Sequence, residues 1–209
     1  MRYKRNQYKQ KKSTAPKRFA RGLNFNRRKH KFNMSVMKEV MLWAGEIVLV
    51  ICIAAMFVFY MGTRVSVIGP SMSGTLENGQ TILVNSFIYK LISPKPNDIV
   101  VFLPNGNEKS HYYIKRVIAG PGDTVQISDG TVYVNDKPFE EEIKNTYIEN
   151  ALLAEEPIVV GEDEYFVLGD NRNNSEDSRY ANIGNVKKEH IKGKAWFVVS
   201  PFSEFGFLK

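Results

Sequence analysis

The chain contains only one cysteine and three histidines, and these low numbers exclude several kinds of chemistry. Cys52 lies inside the longest apolar segment, so the chain forms no internal disulfide bond and offers no cysteine nucleophile outside that segment. The histidines, at positions 30, 111 and 190, are scattered. If the chain carries a serine nucleophile, a Ser/Lys pair is therefore favoured over a Ser/His/Asp triad.

Acidic residues are almost absent from the first 39 positions, which hold 14 lysines and arginines against the single Glu39. The net charge of this segment is +13. Because the whole chain carries +7, residues 40–209 carry a net charge of −6. The segment is also poor in apolar residues, and we expect it to be disordered. Its charge predicts a role in membrane topology and attraction to anionic lipid, with no nucleic acid partner; RNA binding is the alternative.

Residues 40–61 form an apolar run of 22 residues with one charge, Glu46. As a helix this run is roughly 33 Å long at about 1.5 Å per residue, which is enough to span a membrane. A buried core helix is the alternative, but no polar face runs along the segment. Because 39 residues precede it, the run is typical of a signal anchor and not of a cleaved signal. The positive-inside bias predicts that residues 1–39 are cytoplasmic and 62–209 extracytoplasmic.

From residue 63 onward the chain is built of short β-type runs separated by Gly, Pro, Asn and Asp. The alternating residues 124–135 flank Asp129-Gly130, a pair that favours a type I′ hairpin turn. No helix-length segment separates the runs, so we predict a mainly antiparallel β domain. Residues 136–160 are rich in glutamate and predict a solvated insertion. Further strands are predicted at 81–84, 98–102, 112–118, 165–168 and 194–199.

Ser71 is the candidate nucleophile. It lies in the turn-like run Gly69-Pro70-Ser71-Met72, about nine residues after the apolar segment. A serine between Pro and Gly is usually only a turn residue. A turn also exposes a hydroxyl and backbone amides, however, and acyl transfer needs both.

Lys115 is the candidate base, in the strand-like run 112–118. A surface lysine is the ordinary interpretation, but strand alternation places Lys115 on one face with Tyr113 and Val117. An amine with the usual pKa of about 10.4 is almost entirely protonated at neutral pH, so a base requires a lowered pKa. Burial and a nearby cation such as Arg116 are expected to lower it. His111 lies four residues away on the same face, about 13 Å from Lys115, and is predicted to be a surface or partner-contact histidine.

Residues 168–180 form a polar loop after a predicted strand. An EF-hand calcium site is excluded because Arg172 occupies a ligand position. We instead predict an internal ion-pair network that fixes the shape of a site wall. Its members are Asp170, Arg172, Asp177 and Arg179.

In this order, the motifs resemble those of the bacterial type I signal peptidases, membrane-anchored serine proteases that cut leader peptides from exported preproteins. The resemblance covers nearly all of residues 40–200, and the single anchor and basic tail look like the Gram-positive forms. The matching runs are 69–72, 97–102, 113–123 and 169–179.

The resemblance implies a fold of two antiparallel β units, with no cofactor and no metal. It implies that Ser71 is the nucleophile and Lys115 the general base, that Ser175 hydrogen-bonds the lysine, and that Asp177 and Arg179 pair to hold the loop. Secretory preproteins are the implied substrates, cut after small residues of the Ala-x-Ala type. The apolar residues implied to line the substrate pockets are Met72, Leu76, Tyr113 and Ile114.

Two positions depart from the family pattern. Some members have a serine two residues before the nucleophile, whose hydroxyl helps to bind the oxyanion. Gly69 stands here, so only main-chain donors remain. Gly74 stands where the family usually has proline, which makes the detailed geometry of the turn different.

Two other functions compete with this interpretation. A self-cleaving Ser/Lys regulator of the repressor type is soluble and carries a DNA-binding head, whereas this chain has a basic tail and an apolar segment. A non-catalytic, membrane-tethered β module that binds lipid or RNA through its tail leaves Ser71 and Lys115 unexplained. A sortase-like transpeptidase is excluded, because the one cysteine lies within the apolar segment.

Overall fold

The computed structural model describes residues 33–140 and 147–208, and most of the predicted disordered tail lies outside the described residues. Helix α1 spans Met34–Met61 and so begins six residues before the predicted segment. Asn33 provides the helix start, since its carbonyl accepts a hydrogen bond from Met37 N–H at 3.1 Å and its side chain accepts one from Ser35 Oγ at 3.1 Å. The apolar run alone did not reveal this polar first turn.

Within the described residues, α1 is the one helix that is long and apolar enough to cross a membrane, over Met34–Phe59. Its apolar side chains are exposed in the structure, for example Leu49 at 60%. A helix that exposes apolar side chains on every face suits a lipid environment.

The rest of the described chain is mainly antiparallel β structure, which confirms the predicted fold class. Every pair of neighbouring strands is antiparallel. The elements, in chain order, are β1 Thr63–Ser66, β2 Thr81–Asn85, α2 Ile88–Leu91, β3 Ile99–Phe102, β4 Tyr113–Ala119, β5 Thr124–Ser128, β6 Thr131–Val134, β7 Lys137–Pro138, β8 Ile158–Val159, β9 Glu164–Leu168, β10 Val186–Lys187, β11 Ile191–Ser200 and β12 Gly206–Phe207.

The strands form two sheets. The larger has the order β1-β2-β11-β3-β4-β9-β10, with β12 also paired to β11, and the smaller has the order β7-β6-β5-β8. Strand β4 is hydrogen-bonded on both sides, to β3 and to β9. All of its residues after Tyr113 are buried, including two cations, Lys115 and Arg116.

The predicted hairpin is confirmed. Strands β5 and β6 pair with Ser128 opposite Thr131, and the two turn residues have positive φ angles, 48° at Asp129 and 70° at Gly130. These angles are those of a type I′ turn, which matches the twist of the flanking strands. The five other predicted strands correspond to β2, β3, β4, β9 and β11.

The segment 136–160, predicted to be a solvated insertion, is described over residues 136–140 and 147–160. Glu140, Glu155 and Glu156 are exposed, as expected. Ile148 and Ala154 are buried in a core that the smaller sheet shares with β4 and β9 of the larger sheet, and β8 pairs with β5. The acidic residues dominate the composition of the segment, but a few apolar side chains determine where it packs.

Candidate active site

Ser71 lies in a tight turn that two buried side chains anchor. Ser73 N–H donates to the Pro70 carbonyl at 3.0 Å, and Leu76 N–H donates to the Met72 carbonyl at 2.8 Å. Met72 and Leu76 are both 0% exposed and pack in the core of the larger sheet. The residues that flank Ser71 therefore fix its position while its own side chain remains partly exposed.

Gly74 closes this turn in a conformation that glycine favours, with a φ angle of +102°. Its N–H donates to Glu77 Oε1 at 3.1 Å, and Ser73 Oγ donates to Glu77 Oε2 at 3.0 Å. The carboxylate of Glu77 thus holds the far side of the turn.

Lys115 Nζ lies 2.8 Å from Ser71 Oγ. The two residues are 44 positions apart in sequence, and β4 and the turn bring them together. Lys115 is 3% exposed, and its ammonium group lies 5.3 Å from the centre of the Tyr113 ring. Within the described part of the chain, Ser71 is the only hydrogen-bond partner of Lys115 Nζ.

Burial lowers the pKa of Lys115 to about 8, because the protein interior solvates an ammonium group poorly. The carboxylates of Asp177, Glu176 and Asp170 act in the opposite direction and raise the pKa, but less strongly. The cation that lowers it is Arg179. Arg116, the cation that the sequence suggested for this role, is bound in an ion pair.

That ion pair joins β4 to the polar loop. Arg116 Nε donates to Asp170 Oδ1 at 2.9 Å and Arg116 Nη2 donates to Asp170 Oδ2 at 2.8 Å. Asp170 therefore binds outside the loop, which corrects the prediction that it pairs within it. A bidentate pair between a buried guanidinium and a carboxylate is geometrically specific. It fixes the start of the loop beside Lys115.

The second ion pair lies within the loop, as predicted for Asp177 and Arg179. Arg179 Nε donates to Asp177 Oδ1 at 2.8 Å, and Arg179 Nη2 donates to Asp177 Oδ2 at 2.9 Å. Asp177 is 0% exposed and also accepts a hydrogen bond from Gly169 N–H at 3.1 Å. One buried carboxylate thus connects both ends of the loop.

Ser175 Oγ donates to Asp177 Oδ2 at 2.8 Å, and the structure records no hydrogen bond from it to Lys115. This geometry differs from the one implied by the family resemblance. The Ser175 hydroxyl gives its single proton to the carboxylate, a charged acceptor, and the lone pairs of its oxygen remain available as acceptors.

Asn171 and Gly169, two residues of the matching run 169–179, place the loop against the nucleophile. Asn171 N–H donates to the Ser71 carbonyl at 3.1 Å, and its side-chain amide donates to the Pro70 carbonyl at 3.1 Å. A Cβ atom at Gly169 would collide with Ser175 Oγ and the Ser71 carbonyl oxygen. The family resemblance included both residues in a matching run but assigned a role to neither.

A cleft of about 310 Å³ runs beside Ser71 and Lys115. Of the four residues predicted to line substrate pockets, Met72, Tyr113 and Ile114 lie on this cleft. Leu76 lies in the core and supports the cleft from behind. His111 is an exposed residue at the same cleft.

The main-chain amide of Ser71 is available to a ligand, since within the described residues it donates no hydrogen bond. The hydroxyl, the amine and this amide are the three groups that an acyl-transfer site requires. The described residues include no cluster of three or more His, Cys, Asp or Glu side chains able to hold a metal ion.

Comparison with known proteins agrees with these features. Residues 40–200 match the family described as signal peptidase, peptidase S26. Signal peptidase I of Bacillus licheniformis is 35% identical over 172 residues, which cover 78% of this chain and 89% of that protein. Signal peptidase IB of Staphylococcus aureus is 34% identical over 187 residues, covering 80% and 93% of the two chains.

Among solved structures, the crystal structure of a signal peptidase I from Enterococcus faecalis is 34% identical, covers 48% of this chain and 95% of that one, and has a TM-score of 0.39. The matches to the family and to its curated members extend over most of the chain. The chain belongs to the signal peptidase family of serine endopeptidases, peptidase S26.

Proposed function

We propose that Ser71 is the nucleophile and Lys115 the general base with which this signal peptidase cleaves signal peptides from exported preproteins. The observation that carries the proposal is the 2.8 Å contact between Lys115 Nζ and Ser71 Oγ at a buried lysine. The alternative function, a non-catalytic membrane-tethered module, does not explain why a buried lysine contacts this serine.

In the first step, neutral Lys115 accepts the Ser71 proton while Oγ bonds to the carbonyl carbon of the scissile peptide. The C=O electron pair moves to oxygen, and the Ser71 N–H stabilises the resulting oxyanion. The ammonium then gives its proton to the leaving amine, the C–N bond breaks, and the signal peptide remains bound to Ser71 as an ester. Water hydrolyses the ester with Lys115 again accepting and returning a proton.

The neighbouring polar residues position these two groups in the proposed mechanism. The Arg116–Asp170 pair joins β4 to the start of the loop, and the Asp177–Arg179 pair closes the loop around Ser175. Asn171 then ties the loop to the carbonyl of Ser71. The nucleophile and the base are therefore held by one connected network.

The cleft supports a preference for small residues before the cleaved bond, the Ala-x-Ala type of signal. Its walls are apolar at Met72 and Ile114, and its volume of about 310 Å³ is modest. Small apolar side chains fill such a site without displacing the buried residues behind it.

The helix α1 and the charge of the N-terminal segment support a single-pass membrane protein. Residues 1–39 carry a net charge of +13 and are assigned to the cytoplasm, and residues 62–209 to the outer side. Anionic membrane lipid is the partner proposed for the basic segment, and no nucleic acid is required.

The test is cleavage of a labelled preprotein by the detergent-solubilised full chain. We expect Ser71→Ala and Lys115→Ala each to reduce kcat by at least about 10⁴-fold with the fold retained, and the double variant to be no worse, because the two groups act as one unit. Ser128→Ala and Lys137→Ala, at exposed positions of the smaller sheet, are the matched controls. Substantial cleavage by a well-folded Ser71→Ala variant would contradict the proposal.

A further inference from the structure

Glu176 is a carboxylate of the cleft that the proposed mechanism does not use. It is exposed and lines the same cleft as Ser71 and Lys115. Tyr113 Oη donates to Glu176 Oε2 at 3.0 Å, and Asn182 Nδ2 donates to Oε1. Burial and the Glu176 carboxylate raise the pKa of Tyr113, so the phenol remains a donor. Two neutral groups from separate segments therefore hold the carboxylate in place.

The charge of Glu176 has no cationic partner in the described part of the chain. The other two carboxylates around Lys115 have arginine partners, Arg116 for Asp170 and Arg179 for Asp177. The remaining described salt bridges do not include Glu176. Lys115 is neutral when it acts as a base, so it does not compensate the charge either. When Lys115 is neutral, the wall of the cleft thus has one carboxylate, Glu176, without a cationic partner among the described residues.

A basic side chain is the chemistry that this carboxylate recognises. A carboxylate has about four acceptor positions, and the two donors from Tyr113 and Asn182 leave acceptor capacity unused. A lysine or arginine of a bound peptide donates charge-assisted hydrogen bonds to such a group, whereas an aspartate or glutamate is repelled. Tyr113 sets the location, since it contacts Glu176 and its ring centre is 5.3 Å from Lys115 Nζ. A side chain that reaches Glu176 therefore comes from a residue close to the cleaved bond.

We propose that Glu176 is a specificity-determining residue that favours a basic and disfavours an acidic side chain at one position of the preprotein near the cleavage site. This inference rests on the proposed function of the cleft. It concerns the selection of substrates and not the chemical step.

The experiment uses a reporter preprotein in which glutamine, lysine or glutamate is placed in turn at each position flanking the cleaved bond. The detergent-solubilised full chain is compared with Glu176→Gln, Glu176→Asp and Glu176→Lys, and kcat/KM is measured for each reporter. Glu162→Gln removes an exposed carboxylate away from this cleft and is the matched control.

At one position we expect the wild-type chain and the control to cleave the lysine reporter about three- to tenfold faster than the glutamate reporter. The ratio should fall to about one in Glu176→Gln, persist in Glu176→Asp and invert in Glu176→Lys. It should also decrease as salt is added, because salt screens exposed charges.

Three results separate this inference from its alternatives. The inference is overturned if the wild-type enzyme cleaves the lysine and glutamate reporters at equal rates at every position. It is also overturned if the preference for lysine survives in Glu176→Gln. A loss that affects all three reporters equally assigns Glu176 to the positioning of Tyr113 and also overturns it. If the wild-type chain cleaves none of the reporters, including the glutamine series, the proposed function itself is at fault.

Discussion

Lys115 and Arg116 are adjacent cations on β4, and the fold accommodates their charges in opposite ways. Arg116, at 0% exposed, has a bidentate carboxylate partner in Asp170. Lys115, at 3% exposed, has a hydroxyl as its partner. The arginine therefore has a compensating carboxylate within hydrogen-bond distance. The lysine is pushed toward its neutral form, which is the form that a general base needs.

The pH dependence of cleavage should report this lysine. Its pKa is lowered to about 8, and only the neutral amine accepts the serine proton. We therefore expect kcat/KM to rise about tenfold per pH unit below pH 7, to bend near pH 8 and to level off above it. A pH series from 6 to 10 measures the curve.

His111, at the same cleft, provides the control for that curve. The variant His111→Gln should keep both the activity and the position of the bend. A bend near the ordinary histidine pKa of about 6.5 that disappears in this variant would show that the base is misassigned.

The same pKa shift predicts an effect on stability. The folded pKa of about 8 lies below the ordinary value of 10.5, so protonated Lys115 destabilises the fold. The penalty is fully present below about pH 8 and disappears as the pH rises toward 10.5. Lys115→Met should thus be inactive but more stable than the wild type at pH 7, by about 2 kcal/mol, or about 5 °C in Tm.

Thermal melts of the solubilised protein at pH 7 and pH 10 test this expectation. The gain in Tm should shrink at the higher pH, and the exposed control Lys187→Met should show neither effect. If Lys115→Met is less stable than the wild type at pH 7, the contacts of the ammonium group stabilise the fold by more than its burial destabilises it.

At the scale of elements, the loop that follows β9 is packed directly against the turn that carries Ser71. We expect Gly169→Ala to lower kcat by at least about 100-fold, because its Cβ would displace Ser175 or the Ser71 main chain, and a shift of about 1 Å is enough for such a loss. Gly206→Ala is the matched control, since a Cβ there meets no atom within 4 Å. Melting curves distinguish a displaced site from an unfolded chain.

From local patterns, an interaction between residues close together in the sequence could be predicted, whereas one between distant residues could not. The Asp129–Gly130 hairpin and the strands β2, β3, β4, β9 and β11 follow from local residue patterns and were predicted. The strands β1, β7, β8, β10 and β12, of two to four residues each, were not predicted. Asp170 and Arg116 are 54 positions apart in sequence. The polar loop sequence indicated that Asp170 forms an ion pair, but it did not show that Arg116 on β4 is the partner. Glu176 carried no signal of its own, since its role depends on Tyr113 and Asn182 lying beside it.

At the scale of the whole molecule, the proposed topology predicts which parts of the chain are accessible. With tags at both ends, protease added to intact protoplasts should remove the C-terminal tag and leave the N-terminal tag with α1. After the membrane is permeabilised, both tags should be lost. Protection of the C-terminal tag in intact protoplasts would overturn the orientation.

Gly74 limits which residues the turn that carries Ser71 accepts. Its φ angle of +102° lies far from the value of about −65° that a proline ring imposes, and its N–H is bound by Glu77. Proline at position 74 would therefore require the turn to rebuild and would deprive Glu77 of a donor. Positions 74 and 77 are thus coupled, and a substitution at one of them changes what the other can bind.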